Sequence, residues 1–168
     1  SKAKIEPHGL AQFFLGEMYP LYKQISEFNS NELSLHYHDA YLKGKEEQRV
    51  ITNQLVVTLL KKFPVTPERY EKEPWHVGAL VGITGALDPS TGTKFAIQFG
   101  LYCKTIQILG TEKHQKYLER GLRLQDMGCF ALTEISHGSN VQGMLTTATY
   151  DEQDRCFLIN TPIERAAD

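Results

Sequence analysis

Apolar residues recur at helical spacing through the first two thirds of the chain, and the period becomes alternating after Gln125. Residues 9–19 have apolar side chains three and four positions apart, which predicts a helix that Pro20 interrupts. A longer helix with a wide apolar stripe is predicted for residues 46–62. Its last turn is basic and Pro64 follows, and both features are typical of a helix end.

The middle of the chain carries further helix signals, separated by glycine and proline. Thr66 followed by Pro67 is typical of a helix start, because threonine caps the first turn and proline fits its first position. Residues 75–87 are apolar but contain several glycines, which predicts either close helix packing or an irregular stretch. Residues 88–92 have the composition of a turn. Residues 94–109 are apolar on nearly every side, which predicts a buried helix.

Two more helices are predicted from residues that favour helix ends. Gly110 is expected to end the preceding helix, and Thr111 to cap a helix over residues 112–122. Near the start of the chain, Asn31 is expected to cap a helix that runs through Leu42. The first part of the chain is therefore predicted to be helical throughout.

The alternating pattern after Gln125 predicts three short strands. They cover residues 128–133, 144–150 and 155–160, and the polar residues 151–154 form the turn between the last two. We therefore expect a mainly α fold with a short β segment.

The change of period also predicts the domain organisation. Residues 1–126 are expected to form a helical domain, and residues 127–168 to form the opening strands of an incomplete β-domain. Three strands cannot close a barrel, and a small ribbon is marginal in water unless it packs on something. No internal repeat interrupts this division.

Composition indicates a globular protein of ordinary domain size. The chain has 168 residues, of which 41% are hydrophobic and 23% are charged, and its formal net charge is −2. Disorder and nucleic-acid binding are not expected, because the charge is balanced and there is no basic surplus for phosphates. No apolar run approaches the roughly 20 residues that span a bilayer, and the first residues do not resemble a secretory signal.

The cysteines argue against a disulfide scaffold and against zinc. Cys103, Cys129 and Cys156 are odd in number and lack the close spacing of a metal site. This pattern favours a reducing compartment, and the thiols are expected to be buried and unreactive.

The stretch from residue 128 to residue 142 carries the chemistry. A short apolar segment, residues 129–132, leads to Thr133 and to a small polar loop that contains Gly138 and Ser139. A strand that ends in hydroxyls and a glycine-containing turn can present backbone N–H groups to a phosphate or to the edge of a heterocycle.

The sequence of this stretch resembles that of the acyl-CoA oxidases, flavoproteins of the acyl-CoA dehydrogenase superfamily. Residues 133–140 read TE-x-x-HGSN, and a TTATYD segment follows them. Upstream, residues 109–115 resemble the family's LGT-x-x-HQ segment, and downstream residues 156–162 resemble its next strand and closing Thr-Pro. The resemblance implies a helical domain followed by the first strands of the family's middle β-barrel domain.

The resemblance also implies FAD as the cofactor and assigns roles in its site. Leu132 and Thr133 are expected to contact the flavin ring, where the protein tunes the electron affinity of the cofactor. Gly138 and Ser139 are expected to approach the flavin's pyrophosphate, and Ser139 also the phosphopantetheine arm of the acyl-CoA. Taken without the motif, the same residues read as a strand end and an ordinary turn.

Two other interpretations of the polar residues are disfavoured. His137 and Ser139 lack a carboxylate to complete a nucleophilic triad. His36 and His38 lie two positions apart, so on a helix they would not face one metal ion. We therefore expect neither a catalytic residue nor a metal site in this chain.

By resemblance the intact protein oxidises fatty acyl-CoA to trans-2-enoyl-CoA and passes electrons to O2 in peroxisomal β-oxidation. The family's catalytic glutamate lies in a carboxyl-terminal domain, and no acidic residue here matches it. From Ile163 the chain also departs from the family's pattern, so only the amino-terminal quarter is matched and the segment alone is not expected to be catalytic.

Alternatives stay open at this point. In one alternative the chain is a truncated, non-catalytic form with a binding or regulatory role. In another it belongs to an acyl-CoA dehydrogenase that reduces a partner flavoprotein. An unrelated helical adaptor would require all three motifs to be coincidental. A homodimer is expected from the family, and a peroxisomal location rests on resemblance, with the cytoplasm as the alternative.

Overall fold

The computed structural model describes residues 6–33, 42–135 and 138–162. The chain divides into two compact units, Ser1–Phe130 and Ala131–Asp168. The described part of the first unit is helical, and that of the second contains a two-stranded antiparallel sheet. This confirms the predicted fold class, a mainly α chain with a short β segment.

The helical unit consists of short helices in close succession. Among the described residues of this unit, the α-helices are α1 (Pro7–Leu15), α2 (Tyr19–Phe28), α3 (Lys45–Lys62), α4 (Pro67–Lys72), α5 (Trp75–Leu87), α6 (Pro89–Phe95), α7 (Lys104–Leu109) and α8 (Gln115–Leu122). Turns of 3₁₀-helix lie at Gly16–Met18 and Glu112–His114, and π-helical stretches at Asn29–Leu33 and Ala96–Cys103. None of the described helices combines the length and the apolar character needed to cross a bilayer.

The first predicted helix ends earlier than expected. Helix α1 stops at Leu15, where Gly16 adopts a positive φ of 52° that favours glycine. Pro20 does not interrupt a helix but lies in the first turn of α2. Proline is tolerated there because the first N–H groups of a helix have no partner within it.

Asn31 does not cap a helix as predicted. It lies inside the π-helical stretch Asn29–Leu33, which continues directly from α2. Residues 34–41, which include His36, His38 and Asp39, lie outside the described part of the chain, as does most of the helix expected after Asn31.

The next helices agree with the sequence pattern. Helix α3 ends at the predicted basic turn, and Glu47 accepts a hydrogen bond from the N–H of Gly44 at its start (3.2 Å). At α4, the hydroxyl of Thr66 accepts from the N–H of Arg69 (3.2 Å), and Pro67 is the first residue. These predictions are confirmed because each rests on contacts within one helical turn.

Residues 88–92 form a helix start rather than the predicted turn. The carboxylate of Asp88 caps α6 and accepts from the N–H groups of Ser90 (3.2 Å) and Thr91 (3.0 Å). Aspartate, proline and serine favour turns and helix starts alike. The helix packs closely against the end of α5, since a Cβ added to Gly92 would lie 2.5 Å from the Cα of Gly85.

The apolar stretch 94–109 is helical but only partly buried. Phe95, Phe99 and Cys103 are buried, whereas Ile108 and Leu109 are 64% and 76% exposed. The prediction of a buried helix is therefore wrong for its last turn. The buried side chains join the core of the helical unit, which consists of Ile25, Phe28, Leu55, Leu59, Phe63, Val65, Tyr70, Val77, Ala79, Leu80, Ile83, Phe95, Phe99, Cys103, Leu118 and Leu122.

Helix α8 begins after a short 3₁₀ turn instead of directly at residue 112. The N–H of Thr111 donates to Nδ1 of His114 (3.0 Å) at the start of that turn. After α8, Arg120 donates through Nε and Nη2 to both carboxylate oxygens of Asp126 (2.7 and 2.6 Å). This hydrogen bond lowers the pKa of the Asp126 carboxyl and fixes the chain as it leaves the helix.

The cysteines differ from the prediction of three buried thiols. Cys103 is fully buried, and burial raises the pKa of its thiol to about 12. Cys129 and Cys156 are exposed. Neither lies in the helical core, because Cys129 follows the last packed helix and Cys156 begins a strand of the exposed two-stranded sheet.

The sheet pairs β1 (Thr147–Asp151) with β2 (Cys156–Asn160) in antiparallel register. This confirms two of the three predicted strands. Residues 128–133 are not a strand: no strand of the described residues pairs with them, and an extended segment needs a neighbour for its backbone hydrogen bonds. In the connecting turn, Asp151 accepts from the N–H groups of Gln153 (2.8 Å) and Asp154 (3.2 Å).

Candidate ligand-binding loop

Residues 131–146 form the segment that we call the motif loop, of which residues 136 and 137 lie outside the description. Its described part has no regular structure apart from the 3₁₀ turn Val141–Gly143. Leu132 is half-buried, whereas Thr133, Gly138 and Ser139 are exposed. Three of the four residues predicted to bind the cofactor therefore face solvent. His137 is one of the residues not described.

Glu134 organises the motif loop. Its carboxylate accepts hydrogen bonds from the N–H of Leu145 (3.0 and 2.9 Å to the two oxygens) and from the N–H of Thr146 (2.8 Å). The hydroxyl of Thr146 also donates to it at 2.6 Å. Hydrogen bonds to an ionised acceptor are among the strongest in proteins. The carboxylate therefore holds Glu134 to Leu145 and Thr146, which lie eleven and twelve residues further along the chain.

The carboxylate contact extends to the end of the sheet. The hydroxyl oxygens of Thr146 and Thr161 lie 3.0 Å apart. Because the Thr146 hydroxyl donates its proton to Glu134, the Thr161 hydroxyl can serve as the donor in this second contact. The loop is thereby connected to the residue before β1 and to the residue after β2.

The structure brings Thr133 and Gly138 together. A Cβ built on Gly138 would lie 3.4 Å from Cγ2 and 4.0 Å from Oγ1 of Thr133, which is ordinary contact distance. Gly138 therefore does not relieve a steric clash. Because it has no side chain and is exposed, its backbone lies open to a ligand beside the threonine hydroxyl.

The second half of the loop is closed by short-range hydrogen bonds. The N–H of Val141 donates to the carbonyl of Ser139 (3.0 Å), and the N–H of Gly143 donates to that of Asn140 (3.0 Å). A Cβ on Gly143 would lie 2.4 Å from Nδ2 of Asn140, so a larger residue here would require the Asn140 side chain to move. The turn holds the backbone that follows Gly138.

The charge of the loop restricts how it can bind an anion. Glu134 is its only acidic residue, and it contains neither lysine nor arginine. The N–H groups of Leu145 and Thr146 already donate to the carboxylate of Glu134. Without lysine or arginine, the groups left to bind a phosphate include backbone N–H groups and hydroxyls. This chemistry suits a pyrophosphate or the polar edge of a heterocycle.

Sequence analysis identified Thr133, Gly138 and Ser139 but missed the part played by Glu134 and Thr146. The motif includes the glutamate, yet its partners Leu145 and Thr146 lie eleven and twelve residues away, and no local pattern indicates them. The sequence offered one signal for this contact, a single carboxylate near the start of a loop that ends in threonine. Among the described residues, no three His, Cys, Asp or Glu side chains form a group that could hold a metal ion.

Comparison with known proteins finds acyl-coenzyme A oxidases among the relatives of this chain. The chain is 32% identical over 167 residues to acyl-coenzyme A oxidase 2, peroxisomal, of Arabidopsis thaliana, a match that covers 98% of the chain and 24% of that protein. It is 34% identical over 149 residues to an acyl-coenzyme A oxidase of Komagataella pastoris, covering 84% of the chain and 19% of that protein. Human peroxisomal acyl-coenzyme A oxidase 3 is 38% identical over 96 residues, 57% of the chain and 14% of that protein.

The relatives are much longer than this chain, which spans about a quarter of the length of the Arabidopsis protein. No family model matches the chain, and no solved structure is significantly similar to it. The similarity nevertheless covers nearly all of its residues. The chain therefore belongs to the acyl-CoA oxidase family, as a segment about a quarter as long as its full-length relatives.

Proposed function

We propose that the chain is the flavin-contacting part of an FAD-dependent acyl-CoA oxidase of peroxisomal fatty acid β-oxidation. Residues 1–126 would be the family's helical domain, and residues 127–168 the opening strands of its flavin-binding β-domain. The observation that carries the proposal is the similarity to acyl-CoA oxidases over 98% of the chain, which includes the exposed motif loop. The intact protein would convert acyl-CoA and O2 to trans-2-enoyl-CoA and H2O2.

The motif loop fits the groups that it would bind. Thr133 offers an exposed hydroxyl next to the open backbone of Gly138, and Leu132 offers main-chain groups on the other side of the threonine. We assign Leu132 and Thr133 to the edge of the flavin ring, and Gly138 and Ser139 to its pyrophosphate. Ser139 would also contact the phosphopantetheine arm of the acyl-CoA. The absence of lysine and arginine from the loop agrees with binding through N–H groups and hydroxyls.

Bound FAD supplies a two-electron acceptor for the hydride equivalent that leaves the acyl β-carbon, and O2 takes up these electrons to give H2O2. In this scheme the residues of the motif loop would bind the flavin and the acyl-CoA and orient them. The proton at the α-carbon requires a carboxylate base, and we assign that role to no residue of this chain. We place the base in the part of the full-length relatives that this chain does not match.

The proposal is tested by size exclusion of the chain with FAD, following flavin absorbance and protein mass together. Thr133→Val removes the hydroxyl at nearly constant volume and should weaken FAD binding about tenfold. Thr149→Val, at an exposed position of β1, is the matched control and should bind as the parent chain does. The same run measures mass and so tests the proposed homodimer. A flavin-free peak for the parent chain would contradict FAD binding by this segment.

A turnover assay separates the proposed role from its alternatives. With acyl-CoA and FAD, the 168-residue chain should release no peroxide, because the proposed base is not among its residues. Peroxide release would contradict the binding-only role of this segment. In a full-length protein that carries this segment, electron transfer to a partner flavoprotein instead of O2 would favour the dehydrogenase alternative.

A further inference from the structure

We infer that Glu134 is the positioning residue of the motif loop and holds Gly138 and Ser139 beside Thr133. The inference concerns the shape of the loop, and its meaning for cofactor binding rests on the proposed function. Glu134 follows Thr133 directly in the chain, and its carboxylate closes the loop on the far side of the two small residues.

Glu134 accepts hydrogen bonds from other residues of the chain. Two backbone N–H groups, of Leu145 and Thr146, and the Thr146 hydroxyl converge on its oxygens at distances of 2.6 to 3.0 Å. These N–H groups precede β1 and lie outside its ladder. The carboxylate therefore accepts from two backbone donors that the sheet does not use, as well as closing the loop.

The carboxylate ties the two ends of the loop together. The short hydrogen bonds from Ser139 to Met144 join only residues two or three apart. They shape the turn but do not connect it to Thr133. The contact from Glu134 to Thr146 spans twelve residues and therefore closes the loop as a whole. Without it, the loop would gain conformational entropy and sample arrangements in which Gly138 leaves Thr133.

The arrangement assigns Glu134 a positioning role rather than a catalytic one. A general base must direct an oxygen to a substrate proton, whereas both oxygens here accept from donors of the protein. The hydroxyl contact between Thr146 and Thr161 supports the same function, because it connects the carboxylate to the end of β2.

The test combines loop conformation with FAD binding. Glu134→Gln keeps the shape but replaces one oxygen with an NH2 group, which would face the N–H donors of Leu145 or Thr146. We expect changed NMR amide shifts across residues 138–146 in the chain without ligand, and at least a tenfold weaker FAD affinity with a shifted flavin spectrum. Glu152→Gln removes the same charge from the exposed turn between β1 and β2 and should change neither measurement.

A second pair of variants separates the hydrogen bond from general damage. Thr146→Val keeps the volume but cannot donate to Glu134, whereas Thr146→Ser keeps the hydroxyl. The valine variant should change the loop amides in the same direction as Glu134→Gln, and the serine variant should restore the parent shifts. A purely structural defect would not follow this order, because serine removes a methyl group that valine retains.

The outcomes distinguish this inference from the proposed function. Parent-like loop amides in Glu134→Gln would overturn the inference, whatever the FAD result. Changed loop amides with unchanged FAD affinity and spectrum would overturn its link to the cofactor and leave the loop-closing role. If the parent chain binds no FAD, the proposed function of the isolated segment fails, and the NMR comparison alone decides whether Glu134 positions the loop.

Discussion

Gln98 and Gly128 are joined by a hydrogen bond across thirty residues of sequence: the N–H of Gly128 donates to Oε1 of Gln98 at 2.8 Å. The NH2 group of the same side chain donates to the carbonyls of Gly121 (2.8 Å) and Asp126 (2.9 Å). Gln98 is only 4% exposed, so one buried amide makes one contact with the last turn of α8 and two with the segment that follows it. This side chain therefore holds the end of the helical unit, residues 121–128, in place.

Gln98→Leu should destabilise the helical unit by about 3 kcal/mol. The substitution keeps an apolar volume in the core but leaves the Asp126 carbonyl and the Gly128 N–H without this partner, and each costs roughly 1–3 kcal/mol if water cannot reach it. The Gly121 carbonyl still accepts from the N–H of Leu124. Urea unfolding followed by circular dichroism measures the change. Gln115→Leu, at an exposed position of α8, is the control and should alter stability by less than about 0.5 kcal/mol. Equal stability of both variants would show that Gln98 does not hold this segment.

Gly128→Ala should also be destabilising, for a steric reason. A Cβ at this position would lie 2.2 Å from both Cβ and Cγ of Tyr102, which is far inside contact distance. Relief requires movement of the backbone, so we expect a loss of about 1–3 kcal/mol. Thermal and urea unfolding report it.

Gly78→Ala is the matched comparison, because an added Cβ in helix α5 meets nothing within 4 Å. Alanine is the better helix former, so this variant should gain about 0.5–1 kcal/mol. If both substitutions shift stability in the same direction, the close approach of Gly128 to Tyr102 does not govern its replacement.

His76 predicts a loss of stability in acid. Burial, and next the charge of Arg69, lower its pKa below the ordinary 6.5, against smaller opposing effects of the Phe63 backbone and of Glu73. The folded state therefore binds a proton less readily than the unfolded state. The stability contributed by neutral His76 is complete above pH 6.5 and declines as the pH falls towards the lowered pKa, by at most about 1.4 kcal/mol per pH unit.

Unfolding free energies measured between pH 7.5 and 5 should show this decline, and it should be weaker in His76→Gln, which cannot be protonated. An identical slope in the parent chain and in His76→Gln would mean that other groups cause the acid sensitivity.

The three thiols should react at different rates with an aromatic disulfide reagent. Cys129 and Cys156 are exposed and should react in the folded protein. Cys103 is fully buried and its pKa is raised to about 12, so it should react only after unfolding. Stopped titration by mass spectrometry distinguishes the sites, with denaturant as the control. Rapid labelling of Cys103 in the folded chain would contradict its place in the core.

Local sequence was sufficient where the interactions that end or begin an element lie within one turn. The start of α4 is an example, since Thr66 contacts the N–H of Arg69 three residues later. It was insufficient at Asp88, because the same residue types begin turns and helices. There the Asp88 carboxylate caps a helix, and the helix packs closely at Gly85 and Gly92.

The same distinction applies to strands and to the motif loop. The hairpin was predictable because its two strands are neighbours in sequence, with turn residues between them. Residues 128–133 have a compatible pattern, but a strand requires a partner, and the alternation of side chains does not supply one. The motif likewise identified Thr133, Gly138 and Ser139 as candidates without indicating how they are held.

The chain's own pattern was therefore enough for the fold class, for most helices and for the family to which the motifs point, because helical spacing, caps and motif wording are local properties. The contacts that shape the candidate site, and those that hold the end of the helical unit, depend on tertiary structure. Glu134 meets Thr146 twelve residues away, and Gln98 meets Gly128 thirty residues away. Such pairs form only when the folded chain brings distant donors and acceptors together, so no pattern within one turn or one strand could reveal them.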